Sequence, residues 1–512
     1  MNLFHQIIAD KAKQFPNKPA VVLDGAVTTY EQLQQQADDI AALLQGLGVV
    51  SGDRIGFYSP IGIEQIAAFL GALQAGAITA ATHHTLSRAK LVHQLRHSGA
   101  RVLITSCTED LEGLIEAAGL KLVIVTVATQ STSPTILRLT DAIAVNRALK
   151  QTARQPLNDP EHPTSIFYTS GSSFNPKGVL VNHRIMVAAS KRVTAYLNNT
   201  PDDRILSYST LASDYGVYNV MMPLFAGATS VIETRPANNG EDVLAVVERE
   251  SVTAMHVFPP IFFLLAKTGP HWQARIPALR YISSSGQSLH TRHIKRIREA
   301  LPKVQIFSNY GLTECKRVSY LPPEEIDQRP DSVGKPLPGV SLYLVDGHGR
   351  VIDQPGETGE LLVTSDYLML EYWDMPQANA DAFVHDAFGH SRLYRTGDLF
   401  KRDAEGYLYY VARKDDVFAR NIWNVNPREI EHCLAAHPAV SQVLVVPVSD
   451  ESAGHVPKAC VVLDPDYGAI SEQALLDHCK ANLDWHMVPA HCVFLDTLPK
   501  TDSGKFTTKG LI

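Results

Sequence analysis

The sequence predicts an α/β protein: a large N-terminal domain of layered α/β subdomains plus a small β-rich subdomain, with a small mobile α+β C-terminal domain. Three observations predict it. From about residue 20 to 235, short apolar runs alternate with helically spaced segments between Gly and Pro punctuation, the pattern of parallel β-α-β layers. After about Val340 the text turns β-rich with Gly turns, as in SLYLVDGHGRVID, GELLVTS and GYLYYVARKDD. Beyond Ile430 the order reads helix, strand, strand, helix, strand. With 512 residues the chain also exceeds what one core holds, since single cores stop growing near about 250–300 residues.

In order along the chain, the first twenty residues carry Asp, Lys and Gln among their apolar positions and read as a short amphipathic helix, not a signal peptide. Thr29–Leu47 has helical spacing, Asp53–Ser59 is strand-like, Ile63–Gln74 is helical, and Arg101–Thr105 and Leu120–Val127 are strands. Thr129–Pro156 is a looser stretch rich in Thr, Ser and Ala. A second α/β run covers Ile205–Ile232 and Val243–Ser284. The charged RKDD at Arg413–Asp416 divides two apolar runs, giving expected domains 1–414 and 415–512.

Composition removes several function classes. The chain is 45% hydrophobic and 19% charged with net charge −7 and no long basic run, so the footprint of a nucleic-acid binder is absent. No uninterrupted apolar stretch reaches the roughly 18 residues of a membrane span. The six cysteines are scattered without a C-x-x-C, which argues against a disulfide framework or a zinc site. The expectation is a soluble, cytoplasmic protein.

The most informative segment is Thr169–Val179, TSGSSFNPKGV, after the apolar strand Ser165–Tyr168. Hydroxyls, glycines and a lysine, expected between a strand and a helix, form a plausible phosphate cradle: backbone N–H groups and hydroxyls donate to phosphate oxygens and Lys177 adds charge. The spacing is not that of the G-x-x-x-x-G-K-[ST] loop.

This segment resembles the phosphate loop of the AMP-forming, adenylate-forming superfamily that includes acyl-CoA synthetases, adenylation domains of peptide synthetases, and luciferases. Further motifs follow in that superfamily's order: NYGLTE at Asn309–Glu314, GELLV at Gly359–Val363, YRTGDL at Tyr394–Leu399, RKDD at Arg413–Asp416 and PKTDSGK at Pro499–Lys505. TTYEQL, GVVSGDRIGFYSP and FLGALQAGA extend the resemblance to the N-terminal part. It therefore covers essentially the whole chain.

The resemblance implies an enzyme that uses ATP and Mg²⁺ to activate a carboxylic acid as acyl-AMP and then passes the acyl group to a thiol. It implies an ATP/AMP site of Thr169, Ser170, Gly171, Ser172, Ser173, Lys177, Ser284, Gly286, Asn309, Tyr310, Gly311, Thr313, Asp398, Arg413 and Lys505. In it, Tyr310 would stack on adenine, Thr313 would donate to phosphate, and Asp398 would accept from the ribose hydroxyls. Glu314 would help hold Mg²⁺, a hard cation that takes carboxylate and phosphate oxygens. Lys505 would offset the repulsion between carboxylate and ATP during adenylation, so Lys505, Thr313 and Glu314 form the catalytic set. Such chemistry rests on positioning and charge neutralisation, so none of the 20 histidines is needed as part of a triad. Asp415 matches the hinge about which the small domain would turn between half-reactions.

By the same resemblance LASDYGVY at Leu211–Tyr218 lines the acyl pocket, together with Val257, Ser283, Ser285, Asn309, Arg317 and Val318. Asp214 stands where amino-acid-activating members pair a carboxylate with the substrate ammonium, because an enclosed carboxylate is costly unless paired. With Tyr215 and Tyr218 this gives a polar pocket of modest size, which favours an amino acid or small polar acid. Arg317 would either face the substrate or brace the loop bearing Thr313. Since the sequence ends just past Lys505, the expected acceptor is the phosphopantetheine of a separate carrier protein in a biosynthetic pathway, with free CoA as the alternative; a non-catalytic nucleotide-binding relative is a more distant one.

The chain departs from the superfamily pattern in places: Phe174 for Gly and Ser173 for Thr in the phosphate loop, Ser365 and Glu371 for glycines, Asn421-Ile422 for a glycine pair in the hairpin Phe418–Pro427 that lines the thiol tunnel, Ser213 for an aromatic, and Thr508 for Arg.

Overall fold

The computed structural model describes residues 3–128, 133–149, 158–169, 176–267, 272–285, 289, 291–421, 423–450, 452–465, 467–468, 470–501 and 506–511. Four sheets organise them. In the first, Pro19–Leu23, Thr229–Ile232, Arg204–Ser207, Ala254–Val257, Tyr281–Ser284 and Gln305–Tyr310 run parallel side by side, with short antiparallel strands at either edge. In the second, Pro163–Tyr168, Ile78–Thr82, Arg54–Tyr58, Ala100–Thr105, Leu122–Val125 and Ile136–Arg138 are parallel neighbours. Helices cover both sheets, and one cluster joining Phe4, Tyr30, Phe57, Phe69, Phe167, Met222 and Tyr372 forms the shared core. This is the layered α/β arrangement that the alternating apolar runs predict.

Local chemistry fixes the element ends. The helix Tyr30–Gly46 starts at Thr29, whose hydroxyl accepts from Gln32 N while the Gln32 side chain returns to Thr29 N, a reciprocal cap that satisfies two otherwise orphaned donors. The helix Asp214–Ala226 starts at Ser213, whose hydroxyl accepts from Gly216 N. Serine at this position, in place of the superfamily's aromatic, thus serves as the cap. The stretch read from sequence as loose holds the strand Ile136–Arg138 and the helix Leu139–Ala148. Within that helix the buried residues are Leu139 and Asn146, so the apolar stripe was too faint to read.

The third sheet is antiparallel throughout, built from Val340–Val345, Thr358–Ser365, Phe383–Ala387, His390–Arg402 and Leu408–Arg413. Ser365 and Glu371 lie in strands, where no left-handed backbone is demanded. A short 3-10 turn, Lys414–Asp416, leads to the fourth sheet of Phe418–Arg420, Trp423–Val425, Val440–Asp450, Gly454–Leu463 and His491–Phe494. With the helices Pro427–Ala436 and Glu472–Asn482 this is the α+β tail read from sequence. Asn421 takes φ 56° in the hairpin, a left-handed conformation that Asn tolerates better than most residues. Its neighbour Ile422 lies outside the described residues.

The tail rests against the large unit. Arg292 Nη2 donates to the Ser441 carbonyl at 3.0 Å, and Phe506 packs on a large-unit cluster containing Leu289 and Tyr407 and on a tail cluster of Leu444, Cys460 and Leu498. No helix among the described residues is long and apolar enough to cross a membrane.

Phe167, in the second sheet and buried in the main cluster, is a direct test of this core. Phe167→Ala is expected to lower stability by about 3–5 kcal/mol, read from the midpoint of urea unfolding followed by circular dichroism; a loss below about 1 kcal/mol would place the ring outside a well-packed interior.

Candidate functional site

The parallel strands Ala254–Val257, Tyr281–Ser284 and Gln305–Tyr310 end side by side, and ligands of open α/β sheets bind beyond such carboxyl ends. Several of the sequence-predicted segments meet at this edge. The turn after Tyr310 is tight: a Cβ on Gly311 would stand 1.8 Å from the Lys316 carbonyl oxygen, so only glycine fits. Val318 N donates to the Tyr310 carbonyl at 2.9 Å, closing the loop that carries Thr313, Glu314, Lys316 and Arg317.

Tyr310, at the loop's entry, is buried, with its ring edge-to-face on Phe400. Its hydroxyl donates to Asp398 Oδ2 at 2.5 Å, and Arg413 Nη1 donates to Asp398 Oδ1 at 3.0 Å. Asp398 itself is 2% exposed. Burial raises its carboxyl pKa above the ordinary carboxylate range, and Arg413 opposes that rise. Burial pushes the Tyr310 phenol well up, so it acts as a neutral donor. Three residues far apart in sequence thus form one unit, with each oxygen of Asp398 retaining capacity for another donor.

Glu314 is buried, and its Oε1 accepts from the Tyr372 hydroxyl at 2.6 Å, which in turn lies 3.0 Å from the Tyr394 hydroxyl. Lys177 stands over the Tyr372 ring, 4.7 Å from its centroid, which brings the end of the phosphate loop to Glu314. Tyr372 and Tyr394 were not singled out by sequence reading. Tyr394 opens the YRTGDL motif and was therefore the more findable of the two.

The phosphate segment is connected differently from the expectation. Pro163–Tyr168 and Gly178–Asn182 pair antiparallel, so the segment joins two paired strands and does not lead directly into a helix. Val179, Leu180 and Val181 are all buried, an apolar run that continues the sheet before the helix His183–Tyr196 begins. Thr169 N donates to the Lys177 carbonyl at 3.0 Å, and Lys177 N donates to Thr169 Oγ1 at 3.2 Å, pinning the hairpin's mouth. Ser170, Gly171, Ser172, Ser173 and Phe174 lie outside the described residues, as do Gly286 and Lys505.

The acyl-pocket candidates also gather. Asn309 Nδ2 donates to Ser283 Oγ and to the Ser284 carbonyl, both at 3.0 Å, while its Oδ1 accepts from the Tyr196 hydroxyl at 3.0 Å. Tyr215 donates to the Val257 carbonyl at 3.1 Å; Tyr218, Ser285 and Val318 are buried nearby in the same edge and loop. Asp214 already has partners within the chain. Thr313 Oγ1 donates to its Oδ1 at 3.0 Å, and the Lys316 ammonium lies 3.3 Å from its Oδ2. Lys316 also lies over the Tyr218 ring at 4.0 Å and the Tyr215 ring at 5.6 Å. An ammonium of the chain itself therefore stands beside this carboxylate. Nothing in the sequence spacing of Asp214 and Lys316 signals this pair; the turn at Gly311 creates it. Asp415 is exposed in its 3-10 turn, and the neighbouring Lys414 Nζ lies 3.1 Å from Glu360 Oε2, which also takes Arg395 Nη1 at 3.1 Å.

The whole chain is also similar to known proteins. The family model described as AMP-binding enzyme matches residues 8–373, and that described as AMP-binding enzyme C-terminal domain matches residues 429–505. A long-chain-fatty-acid–CoA ligase of Salmonella typhimurium is 28% identical over 99% of this chain and 93% of its own length. One of the linear gramicidin synthase proteins of Brevibacillus parabrevis is 27% identical over 99% of this chain, which spans 6% of that much longer protein. Among solved structures, a benzoate CoA ligase from Burkholderia xenovorans LB400 has TM-score 0.86 and 25% identity, each chain covered in full. An anthranilate CoA ligase in complex with anthranoyl-AMP has TM-score 0.85 and 26% identity over 98% of this chain and 95% of its own.

The Asp214–Lys316 pair is testable by a double-mutant cycle. Lys316→Met and Asp214→Asn, singly and together, are expected to show a coupling of about 0.5–3 kcal/mol in unfolding free energy, the range for residues in direct contact. Additive effects would mean that the two charges do not depend on each other.

Proposed function

From the premise that this chain belongs to the AMP-binding enzyme family and is an adenylating enzyme of the AMP-forming acid–thiol ligase class, we propose that it activates a small polar carboxylic acid lacking an α-ammonium as acyl-AMP and transfers the acyl group to CoA. The observation that carries the substrate reading is the Lys316 ammonium 3.3 Å from Asp214. A substrate ammonium would compete with a cation already bonded there, and like charges at such range repel. The polar wall of Ser283, Asn309 and Tyr196 disfavours a long alkyl chain, since buried polar groups would face hydrocarbon.

In this reading a carboxylate oxygen attacks the α-phosphorus of ATP and pyrophosphate leaves. Asp398 accepts from the ribose hydroxyls while held by Tyr310 and Arg413; the single Thr313 O–H turns from Asp214 to donate to phosphate. Lys177 and Lys505 supply positive charge where carboxylate and phosphate meet. Glu314, a single carboxylate beside the phosphate hairpin, fits Mg²⁺, which is bound through one or two carboxylates together with phosphate oxygens and offsets their charge; among the described residues no group of three or more His, Cys, Asp or Glu gathers to hold a metal by itself. In the second step the thiol sulfur attacks the acyl carbonyl and AMP leaves. Turning about Asp415 would exchange Lys505 for the thiol tunnel between the two steps. CoA is favoured over a carrier-bound phosphopantetheine because relatives matched along nearly their own full length are CoA ligases by name.

The test is substrate-dependent exchange of labelled pyrophosphate into ATP with amino, aryl, fatty and small polar acids, followed by thioester assays with CoA and with a phosphopantetheinylated carrier protein. Exchange is expected with small polar acids, falling roughly 10²–10³-fold in Lys505→Ala, the scale of losing one charged transition-state contact. Exchange confined to amino acids would restore Asp214 as a substrate partner, and thioester formed only on the carrier would replace CoA as acceptor.

A further inference from the structure

Among the described residues Arg317 is the largest fully buried side chain, 2% exposed. Among the described residues its Nε has no hydrogen-bond partner and its guanidinium forms no ion pair. Its backbone carbonyl is held by the Tyr367 hydroxyl at 2.7 Å, which fixes the residue without satisfying its charge. That charge is felt by Tyr196, Tyr215 and His256: it opposes the upward pull of burial on both phenols, the Tyr215 phenol reaching about 12, and helps burial drive the His256 imidazole down to about 3. His256 is therefore neutral and offers no counter-charge.

These neighbours locate the guanidinium. Tyr196 bonds Asn309, Tyr215 bonds the Val257 carbonyl, and His256 sits one residue inside the end of its strand, level with Ser283. Tyr215, Val257 and Asn309 are all among the acyl-pocket candidates, so the guanidinium lies beside that group of residues. Buried polar atoms without hydrogen-bond partners cluster in the same region: His256 Nδ1, Ser284 Oγ and, on the helix beside Tyr215, Asn219 Oδ1. The Lys316 charge is matched by Asp214, whereas that of Arg317 is not matched among the described residues. A buried charge without a partner is strongly unfavourable, and a ligand that supplies the counter-charge relieves it. Guanidinium is also suited to two-pronged recognition of a planar carboxylate.

We propose that Arg317 binds a second carboxylate of the substrate, so that the acid activated is a dicarboxylic acid, one carboxylate reacting at ATP and the other ion-paired with Arg317. This inference rests on the adenylation reading above and specifies its substrate class. In this arrangement the reacting carboxylate meets ATP beside Thr313 and Glu314, and Arg317 holds the other carboxylate.

The experiment compares short linear and aromatic dicarboxylic acids with their monomethyl esters in pyrophosphate exchange, for the wild type, Arg317→Met and Arg317→Lys. Wild type is expected to prefer the diacid over its monoester at least tenfold in kcat/KM, a bidentate charged contact being of that order. Arg317→Met is expected to lose this preference chiefly through KM for the diacid while keeping exchange with the monoester, and Arg317→Lys to retain part of it. The wild-type comparison needs no variant and stands even if Arg317→Met folds poorly. Equal use of diacid and monoester by the wild type would overturn the proposal while leaving adenylation intact. So would an equal loss on both substrates in Arg317→Met, which would make Arg317 a brace of the Thr313 loop or a partner of the reacting carboxylate. Absence of exchange with every acid would overturn both this proposal and the reading beneath it.

Discussion

The close approach of Gly311 to the Lys316 carbonyl sets the position of most of the candidate site. Because no side chain stands between the two ends of this turn, the chain leaves the strand Gln305–Tyr310, folds back on itself within a few residues and re-enters the sheet at Ser319. That path sends Tyr310 to Asp398, Thr313 and Lys316 to Asp214, Glu314 to Tyr372, and Arg317 to the wall near Tyr196 and His256. A bulkier residue at 311 would move all of these contacts together, since they hang from one rigid turn.

The same turn distributes charge. On one side Lys316 and Asp214 neutralise each other beside Tyr218; on another, Asp398 is shared by a neutral phenol and a guanidinium. The site is therefore prearranged, with its carboxylates already oriented before any substrate enters. Preorganised charge of this kind needs little reorganisation during reaction, and that is how adenylation chemistry, which uses no nucleophilic side chain, gains most of its rate. The tail is held to the large unit by a backbone acceptor, Ser441, and by the Phe506 ring.

The fold was largely legible in the text of the sequence. Strand–helix alternation gave the two parallel sheets, and the Gly-punctuated β run after Val340 gave the antiparallel one. The stretch 133–149 escaped because its helix buries little and so has no clear stripe. The hairpin after Tyr168 was misread because a short buried strand and the first turn of a buried helix share one apolar pattern, and periodicity alone does not separate them. Within the site, NYGLTE and YRTGDL could be found as motifs, but their bond through Tyr310 and Asp398 spans 88 residues and has no local signature. Tyr372 lies in no recognised motif, and Lys316 reads as an ordinary loop lysine until its neighbours are known.

By itself, then, the sequence determined the element types, the ordered motifs and the chemical kinds of group available, because periodicity, turn residues and motif spacing are local properties of a chain. Only the tertiary structure decided which charges meet. Whether Asp214 faces a ligand or a lysine, and whether Arg317 is paired or left alone, depends on distances between segments about a hundred residues apart in sequence. Electrostatic energy depends on separation in space and on burial, and neither quantity is written in the order of residues.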